Sequence, residues 1–287
     1  MRKIVLSADS TCDLSPELKE RYNVHYYPFH IIYRGESYQD NVDITPQTLY
    51  DGYYEDGSLP QTAAINVAEY VDYFTPFVEE GYEVIHLNLG SAISSAHENC
   101  LKAAEQFEGV YAIDSQSLST GIALQVIKAG RLIEQGLSAP EIVEQVKNMR
   151  ACTHASFVLD TLDFMAAGGR CPQVLALIGR ALKFKPEILV HNNDGSMSVG
   201  KIYRGKLERC VRKYVRDTIS RYPDIICDDI FITHSGCDDA VIEAAREELC
   251  SLLDVEHVHV TRASCTIASH CGPGTLGVLF VTETPAA

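Results

Sequence analysis

Blocks of apolar and polar residues follow one another regularly through the first half of the chain. Short apolar runs that end at polar residues are each followed by a turn and by a longer stretch with helical spacing. We predict strands at 4–10, 83–90 and 110–115, with helices after residue 15, at 94–107, at 120–135 and, from a capping box, at 138–150. Repeated strand–helix units predict an α/β fold with a parallel sheet.

The pattern changes after residue 152. Predicted strands at 186–190 and 196–202 are separated by Asn192-Asn193-Asp194-Gly195, which is a hairpin signal and indicates antiparallel pairing. Further strands are predicted at 156–159, 230–233, 257–261 and 276–281, and helices at 172–182, 205–221 and 238–253. We therefore predict a parallel α/β domain over 1–152 and a mixed-sheet α+β domain over 153–287.

The overall composition is that of a folded globular protein. Hydrophobic residues make up 46% of the 287 residues and charged residues 22%. The 24 basic residues against 39 acidic ones leave a formal charge of -15. Such a surface repels phosphate backbones, so nucleic acid is not expected as a partner.

The cysteines do not predict a disulfide framework. Ten are scattered from Cys12 to Cys271 without any C-x-x-C pair. The apolar run behind Met1 is too short for a secretory signal or a membrane span, so we expect a cytoplasmic protein with reduced thiols. His257 and His259 share one face of a predicted strand, but no partner ligands are visible and no metal site is expected.

The segment after the second predicted strand carries several hydroxyl groups next to a helix start. Such a place attracts anions, although a serine here can equally be an ordinary N-cap. The candidate lining residues from this segment are Ser91, Ile93, Ser94 and Ser95. No G-x-S-x-G elbow surrounds these serines, and the chain contains no dinucleotide or P-loop motif.

Other candidates follow strand ends or a glycine-rich bend. The carboxyl ends of parallel strands converge on a ligand crevice, which makes Ser10, Asp114 and Ser115 candidates. Thr62 falls in a predicted loop that could reach the same edge, or is an ordinary turn threonine. His270 precedes a bend where backbone can approach a ligand, or is a solvated loop histidine; the bend contributes Gly272, Pro273 and Gly274.

The order of short motifs along nearly the whole chain resembles the DegV family of fatty-acid-binding proteins. This family includes the binding subunit of bacterial fatty acid kinase. The motifs are Ala8-Asp9-Ser10-Thr11-Cys12-Asp13-Leu14, Tyr38-Gln39-Asp40, Pro60-Gln61-Thr62, Ser91-Ala92-Ile93-Ser94, Ile113-Asp114-Ser115, Asp160-Thr161-Leu162, Gly168-Gly169-Arg170, Lys185-Pro186, Tyr203-Arg204-Gly205 and His270-Cys271-Gly272-Pro273-Gly274-Thr275-Leu276-Gly277.

The resemblance implies a DegV-like two-domain fold with one long-chain fatty acid in a tunnel between the domains. It places the carboxylate near Thr62, Ser94 and His270. It further implies that a separate ATP-dependent fatty acid kinase phosphorylates this carboxylate, and that the protein then carries the acyl phosphate for phospholipid metabolism. Arg170 and Arg204 would be surface positions that contact the kinase or, transiently, the membrane. No cofactor is implied.

Two departures from the family pattern fall at the implied site. Ser95 and Ala96 stand where the family favours glycine and threonine, and Ala63 replaces a serine. Two other functions remain open on the residues alone. A stand-alone serine hydrolase or acyltransferase would use Ser94 as nucleophile and His270 as base, with Asp9 or Asp114 to orient it. A non-catalytic lipid-sensing module would carry no chemistry.

Overall fold

The computed structural model describes residues 3–177 and 184–285. The strands are β1 (Ile4–Asp9), β2 (His25–Tyr27), β3 (His30–Tyr33), β4 (Glu36–Gln39), β5 (Gln61–Ala63), β6 (Glu83–Asn88), β7 (Val110–Asp114), β8 (Thr153–Val158), β9 (Phe184–Val190), β10 (Met197–Arg204), β11 (Ile225–Ser235), β12 (His257–Arg262) and β13 (Thr275–Thr282). The helices are α1 (Pro16–Arg21), α2 (Pro46–Asp56), α3 (Val67–Glu79), α4 (Ala96–Ala104), α5 (Thr120–Glu134), α6 (Ala139–Met149), α7 (Asp163–Gly168), α8 (Leu207–Ile219), α9 (Asp239–Leu252) and α10 (Cys265–Cys271).

The first half of the chain forms a four-stranded parallel sheet in the order β2-β1-β6-β7. Its central strands β1 and β6 are almost wholly buried, as continuous apolar runs require. The predicted α/β organisation of this half is confirmed. The capping box at Ser138 and Glu141 also forms as predicted and begins α6.

The second half forms a six-stranded mixed sheet in the order β10-β9-β8-β13-β11-β12. All its pairs are antiparallel except β11 with β12. The predicted hairpin joins β9 to β10, and Gly195 in its turn has φ +80°. A Cβ at Gly195 would lie 3.0 Å from the backbone of Gln116, so this turn packs closely on the first half. The domain boundary at 152/153 stays a prediction.

A third sheet, in the order β4-β3-β5, was not predicted. Its strands have only three or four residues, too few to show an apolar alternation. The expectation that Thr62 lies in a loop is wrong, because Thr62 pairs with Ile31 inside this sheet. The three-stranded sheet thus fixes the direction of the Thr62 backbone.

Helix α5 joins the two larger sheets into one core. It is buried on nearly every side and packs against β1 and β6 of the first sheet and β8, β11 and β13 of the second. The core around it includes Ile122 and Leu124 of the helix together with Phe157 and Leu279 of the mixed sheet. The two halves are therefore packed against each other through apolar side chains.

Several predicted helices have different bounds in the structure. α4 begins at Ala96, so Ser94 lies in the turn before the helix and does not begin it. A 3₁₀ helix occupies Pro172–Leu177, and the rest of the helix predicted to residue 182 lies outside the described residues. No helix within residues 3–177 and 184–285 is long and apolar enough to span a bilayer. All ten cysteines are free thiols.

Candidate functional site

A cavity of about 990 Å³, including its opening to solvent, lies between the two halves of the chain. Most of its exposed lining is apolar, and the apolar side chains come from loops of the first half, from the mixed sheet and from α10. They include Phe29, Leu118, Phe157, Met197, Ile267 and Leu279.

The cavity wall also contains hydroxyl groups, and several of these already have hydrogen-bond partners within the protein. Ser156 Oγ lies 2.8 Å from the hydroxyl of Tyr214, and Thr233 Oγ1 lies 2.6 Å from the hydroxyl of Thr120. Ser119 donates to Asp13 at 2.5 Å. A ligand in contact with this part of the wall is therefore not required to supply polar partners.

The mouth of the cavity, where Thr62, Ser94 and His270 lie, differs from the wall in its hydrogen bonding. Thr62 Oγ1 lies 2.8 Å from Nε2 of His270, which joins β5 to the end of α10. Ser94 Oγ accepts a hydrogen bond from the Ala96 N–H at 3.2 Å, while its own hydroxyl proton has no acceptor among the described residues. Thr62, Ser94 and His270 all line the same cavity.

His270 is a neutral imidazole held in a tight space. Burial, together with the positive charge of Arg170, lowers the pKa of His270 to about 4. Its Nδ1 is buried and has no hydrogen-bond partner in the described part of the chain. Gly168 leaves room for this atom, since a Cβ there would lie 2.3 Å from it. His270 is therefore not the solvated loop histidine that was one interpretation of its sequence context.

Arg170 and Arg204 occupy different environments. Arg170 lines the cavity and donates to the backbone oxygens of Gly168 at 2.5 Å and Ile93 at 3.4 Å. Arg204 is exposed outside the cavity, with its guanidinium 4.5 Å from the centre of the Phe184 ring. Both side chains are exposed, and Arg170 also lines the cavity, while a contact with the kinase or the membrane stays a prediction for both.

Several candidate lining residues do not reach the cavity because other groups hold them. Ser10 is buried against Asp40 at 2.7 Å, and Ser91 donates to Asp114 at 2.6 Å. Ser115 donates to the backbone of Ser117. The bend at Gly272, Pro273 and Gly274 also lies outside the cavity lining, and its glycines pack against Phe164 and Asp160. Ile93 and Ser95 do line the cavity.

Sequence reasoning missed the contribution of the second half to the wall. Phe157, Met197 and Leu279 come from three different strands of the mixed sheet. Phe157 and Leu279 lie in buried apolar strands and Met197 is buried at the start of β10, so the pattern predicted core positions and did not distinguish a cavity lining from solid packing. The pairing of these strands in the mixed sheet, and not local sequence, brings the three side chains together.

Metal-binding side chains do not cluster anywhere in residues 3–177 and 184–285 in groups of three or more. The rings of His257 and His259 stack 5.9 Å apart on β12. Nε2 of His259 lies 2.8 Å from a carboxylate oxygen of Asp229, which Arg131 also contacts at 2.6 Å. The two histidines thus lie beside the ion pair between Asp229 and Arg131.

Comparisons with known proteins identify similar chains over the whole length. A family model described as an uncharacterised protein of the DegV family matches residues 3–283. A DegV domain-containing protein of Clostridium perfringens is 28% identical over 288 residues, covering 99% of this chain and 100% of the relative.

Two solved structures are similar in fold and sequence. One shows fatty acid binding by a DegV family protein from Thermus thermophilus, with 28% identity, a TM-score of 0.88, and coverage of 98% of this chain and 100% of that chain. The other is a stearic-acid-binding protein from Eubacterium ventriosum, with 25% identity, a TM-score of 0.78, and coverage of 99% of each chain. The resemblance inferred from the motifs is confirmed.

Proposed function

The chain belongs to the DegV family, and from that premise we propose that it binds one long-chain fatty acid in the cavity between its two halves. The observation that carries the proposal is the contrast within the cavity. Free hydrogen-bonding capacity lies at the mouth, around Thr62 and Ser94, while the wall is mostly apolar and hydroxyls such as those of Ser156 and Thr233 are bonded within the protein. This arrangement suits a molecule with one polar end and a long apolar chain.

Burial of the chain supplies the free energy of binding. Each methylene group removed from water contributes about 0.8 kcal/mol, so a sixteen-carbon acid offers on the order of 11 kcal/mol before the entropic cost of association. The carboxylate must then receive hydrogen bonds, because a desolvated anion without them would cancel much of this gain. The mouth is the part of the cavity that can supply them.

We propose that the hydroxyls of Thr62 and Ser94 donate hydrogen bonds to the carboxylate of the fatty acid. His270 is neutral, and if its Nε2 carries the proton it donates to Thr62 Oγ1. The Thr62 hydroxyl proton is then directed to the ligand. The guanidinium of Arg170, which also lines the mouth, adds a favourable charge for an anion. Ser95 lies beside them, whereas Ala63 and Ala96 offer no hydroxyl.

In this proposal, a partner protein catalyses the reaction of the bound acid. A separate cytoplasmic ATP-dependent fatty acid kinase phosphorylates the presented carboxylate, and the cavity shelters the acyl phosphate from water. Arg204 is an exposed cation on a chain with a formal charge of -15, so its local potential would help to guide an acidic partner surface. A brief membrane contact would allow the lipid to enter and leave.

The geometry favours this carrier over a stand-alone hydrolase. Within the described residues, no carboxylate contacts His270, and Ser94 Oγ is hydrogen-bonded to the Ala96 N–H and not to the imidazole. Asp9 accepts from Leu89 N–H and Tyr70, and Asp114 accepts from Ser91. The nucleophile, base and orienting acid that a hydrolase needs are therefore not assembled.

Organic extraction of the purified protein followed by mass spectrometry tests the proposal. We expect about one long-chain fatty acid per chain. A reactive-serine probe should leave Ser94 unlabelled, because no base activates it. A nucleotide, or no ligand together with no binding of added fatty acid, would contradict the proposal. Labelling of Ser94 would favour the hydrolase, and binding without kinase-dependent phosphorylation would favour the lipid-sensing module.

A further inference from the structure

Helix α10 carries several of the side chains that line the cavity. Thr266, Ile267, His270 and Cys271 all contribute to the lining. The helix has only seven residues, about 10 Å of length, so a shift at its beginning would reach His270. A helix this short is also not stable alone, and its position depends on the groups that hold its ends.

The beginning of α10 is held by two carboxylates from the first half of the chain. Asp13 Oδ1 accepts from the Ser264 N–H at 2.8 Å, and Asp40 Oδ1 accepts from the Cys265 N–H at 2.7 Å. The other oxygen of each carboxylate accepts from a serine hydroxyl, at 2.5 Å from Ser119 and at 2.7 Å from Ser10. Both oxygens of both side chains are thus used.

These carboxylates are buried without a cationic partner. Asp13 is 6% exposed and Asp40 is 2% exposed, and neither forms an ion pair with a lysine, arginine or histidine of the described residues. Burial raises the pKa of Asp13 to about 7 and also raises the pKa of Asp40. The compensation comes from the first N–H groups of α10 and the positive end of its dipole.

We propose that Asp13 and Asp40 are positioning residues that form a clamp on the beginning of α10 and thereby hold His270 against Thr62. Both ends of the helix are then fixed to the first half of the chain, one through the clamp and the other through the hydrogen bond between His270 and Thr62. This inference rests on the proposed function, since it assigns the clamp to the carboxylate-binding mouth.

The test uses Asp40→Ala, Asp40→Asn and a matched control. Asp229→Ala also removes a carboxylate that links the two halves, through Arg131 of α5, but Asp229 contacts neither α10 nor the cavity. For each folded variant, the ¹⁵N shifts of the His270 ring are measured without ligand. The ratio of affinities for a fatty acid and the fatty alcohol of equal length is measured separately.

We expect Asp40→Ala to change the His270 ring shifts and to lower the acid-to-alcohol ratio about tenfold. In Asp40→Asn, the ring shifts and the affinity ratio should both lie closer to the wild-type values, because the side-chain oxygen can still accept from the Cys265 N–H. Asp229→Ala should change neither. If Asp40→Ala does not fold, Asp13→Asn and Asp40→Asn provide the same comparison, with smaller changes expected in the same direction.

Unchanged ¹⁵N shifts of the His270 ring in the folded Asp40 variants would overturn the clamp. So would a fall in the acid-to-alcohol affinity ratio of Asp229→Ala as large as that of Asp40→Ala. A wild-type protein that binds neither acid nor alcohol would contradict the proposed function instead. The ring shifts of ligand-free protein would still decide the clamp in that case.

Discussion

The mouth and the wall of the cavity contain the same kinds of polar side chain but differ in what those side chains have left to bind. Thr233 in the wall is hydrogen-bonded to Thr120 and lies 3.1 Å from the hydroxyl of Thr261. Ser94 at the mouth accepts one bond and keeps its proton free of any acceptor in the described structure. The number of polar residues in a cavity therefore does not decide which ligand fits; the number of unused donors does.

The wall should determine how long a chain is bound, and filling it should strongly weaken the binding of long chains. Met197→Trp adds volume at a buried lining position. If the indole displaces about four methylene groups, affinity for a sixteen-carbon acid should fall by roughly 3 kcal/mol, on the order of a hundredfold, while a ten-carbon acid is affected much less. Titration of both acids measures this.

Met197→Leu, which keeps a similar volume, is the control for that experiment, and thermal unfolding of each variant reports on folding. Equal losses for both chain lengths would mean that Met197 does not line the part of the cavity that holds the chain.

Removal of the Thr233 hydroxyl from the cavity wall should lower the stability of the protein and leave its affinity for fatty acid nearly unchanged. Thr233→Val keeps the shape but leaves the hydroxyls of Thr120 and Thr261 short of a partner, so the free energy of unfolding should fall by about 1–3 kcal/mol. Affinity for fatty acid should change by less than about twofold. Denaturant unfolding and ligand titration together measure the two effects, and a large loss of affinity would break the distinction between wall and mouth.

Two buried histidines should make the protein sensitive to acid. Burial lowers the pKa of His154 and of His270 to about 4, whereas an unfolded histidine titrates near 6.5. The unfolded chain therefore binds more protons in this window, so this part of the stability is complete above about pH 6.5 and is lost as the pH falls towards 4. His154→Gln should flatten the dependence of unfolding free energy on pH.

His154 lies away from the mouth, hydrogen-bonded to Thr282 at 2.9 Å, so this substitution should leave fatty-acid affinity at pH 7 unchanged. An unaltered pH dependence in His154→Gln would show that the imidazole titrates in the folded protein as it does in the unfolded chain.

Arg204 should give the smallest effect, because it lies outside both regions. Arg204→Ala should leave lipid affinity unchanged and slow kinase-dependent acyl phosphate formation several-fold at low kinase concentration, with less effect at high salt. Phosphorylation assays at two ionic strengths measure this. Unchanged rates would remove Arg204 from the partner surface. Arg170 is less suitable for this test, since it also lines the cavity.

The sequence predicted those parts of the fold in which strands and helices have a clear pattern of apolar residues or a clear turn signal. The buried runs of β1, β6 and β7 and the hairpin between β9 and β10 are examples. The sheet that carries Thr62 was missed, because its strands are short and β5 pairs with residues of β3 about thirty positions earlier. Only the family resemblance connected Thr62 with His270, since nothing local relates residues 208 positions apart.

The place of Arg170 was also not predictable from its neighbours. Its direction is set by the backbone oxygens of Gly168 and Ile93, one of which belongs to a distant segment. A charged residue beside glycines suggests a solvated turn, and only the packed structure shows that this turn borders the cavity.

The central claim is that the mouth recognises a carboxylate through Thr62 and Ser94. The most direct test is to titrate a fatty acid and the fatty alcohol of equal length into the wild type and into the variant carrying both Thr62→Ala and Ser94→Ala. We predict that the variant stays folded and loses roughly 1.5–3 kcal/mol per removed hydroxyl for the acid, with a much smaller loss for the alcohol. Equal losses for acid and alcohol, or no loss for either, would contradict the claim.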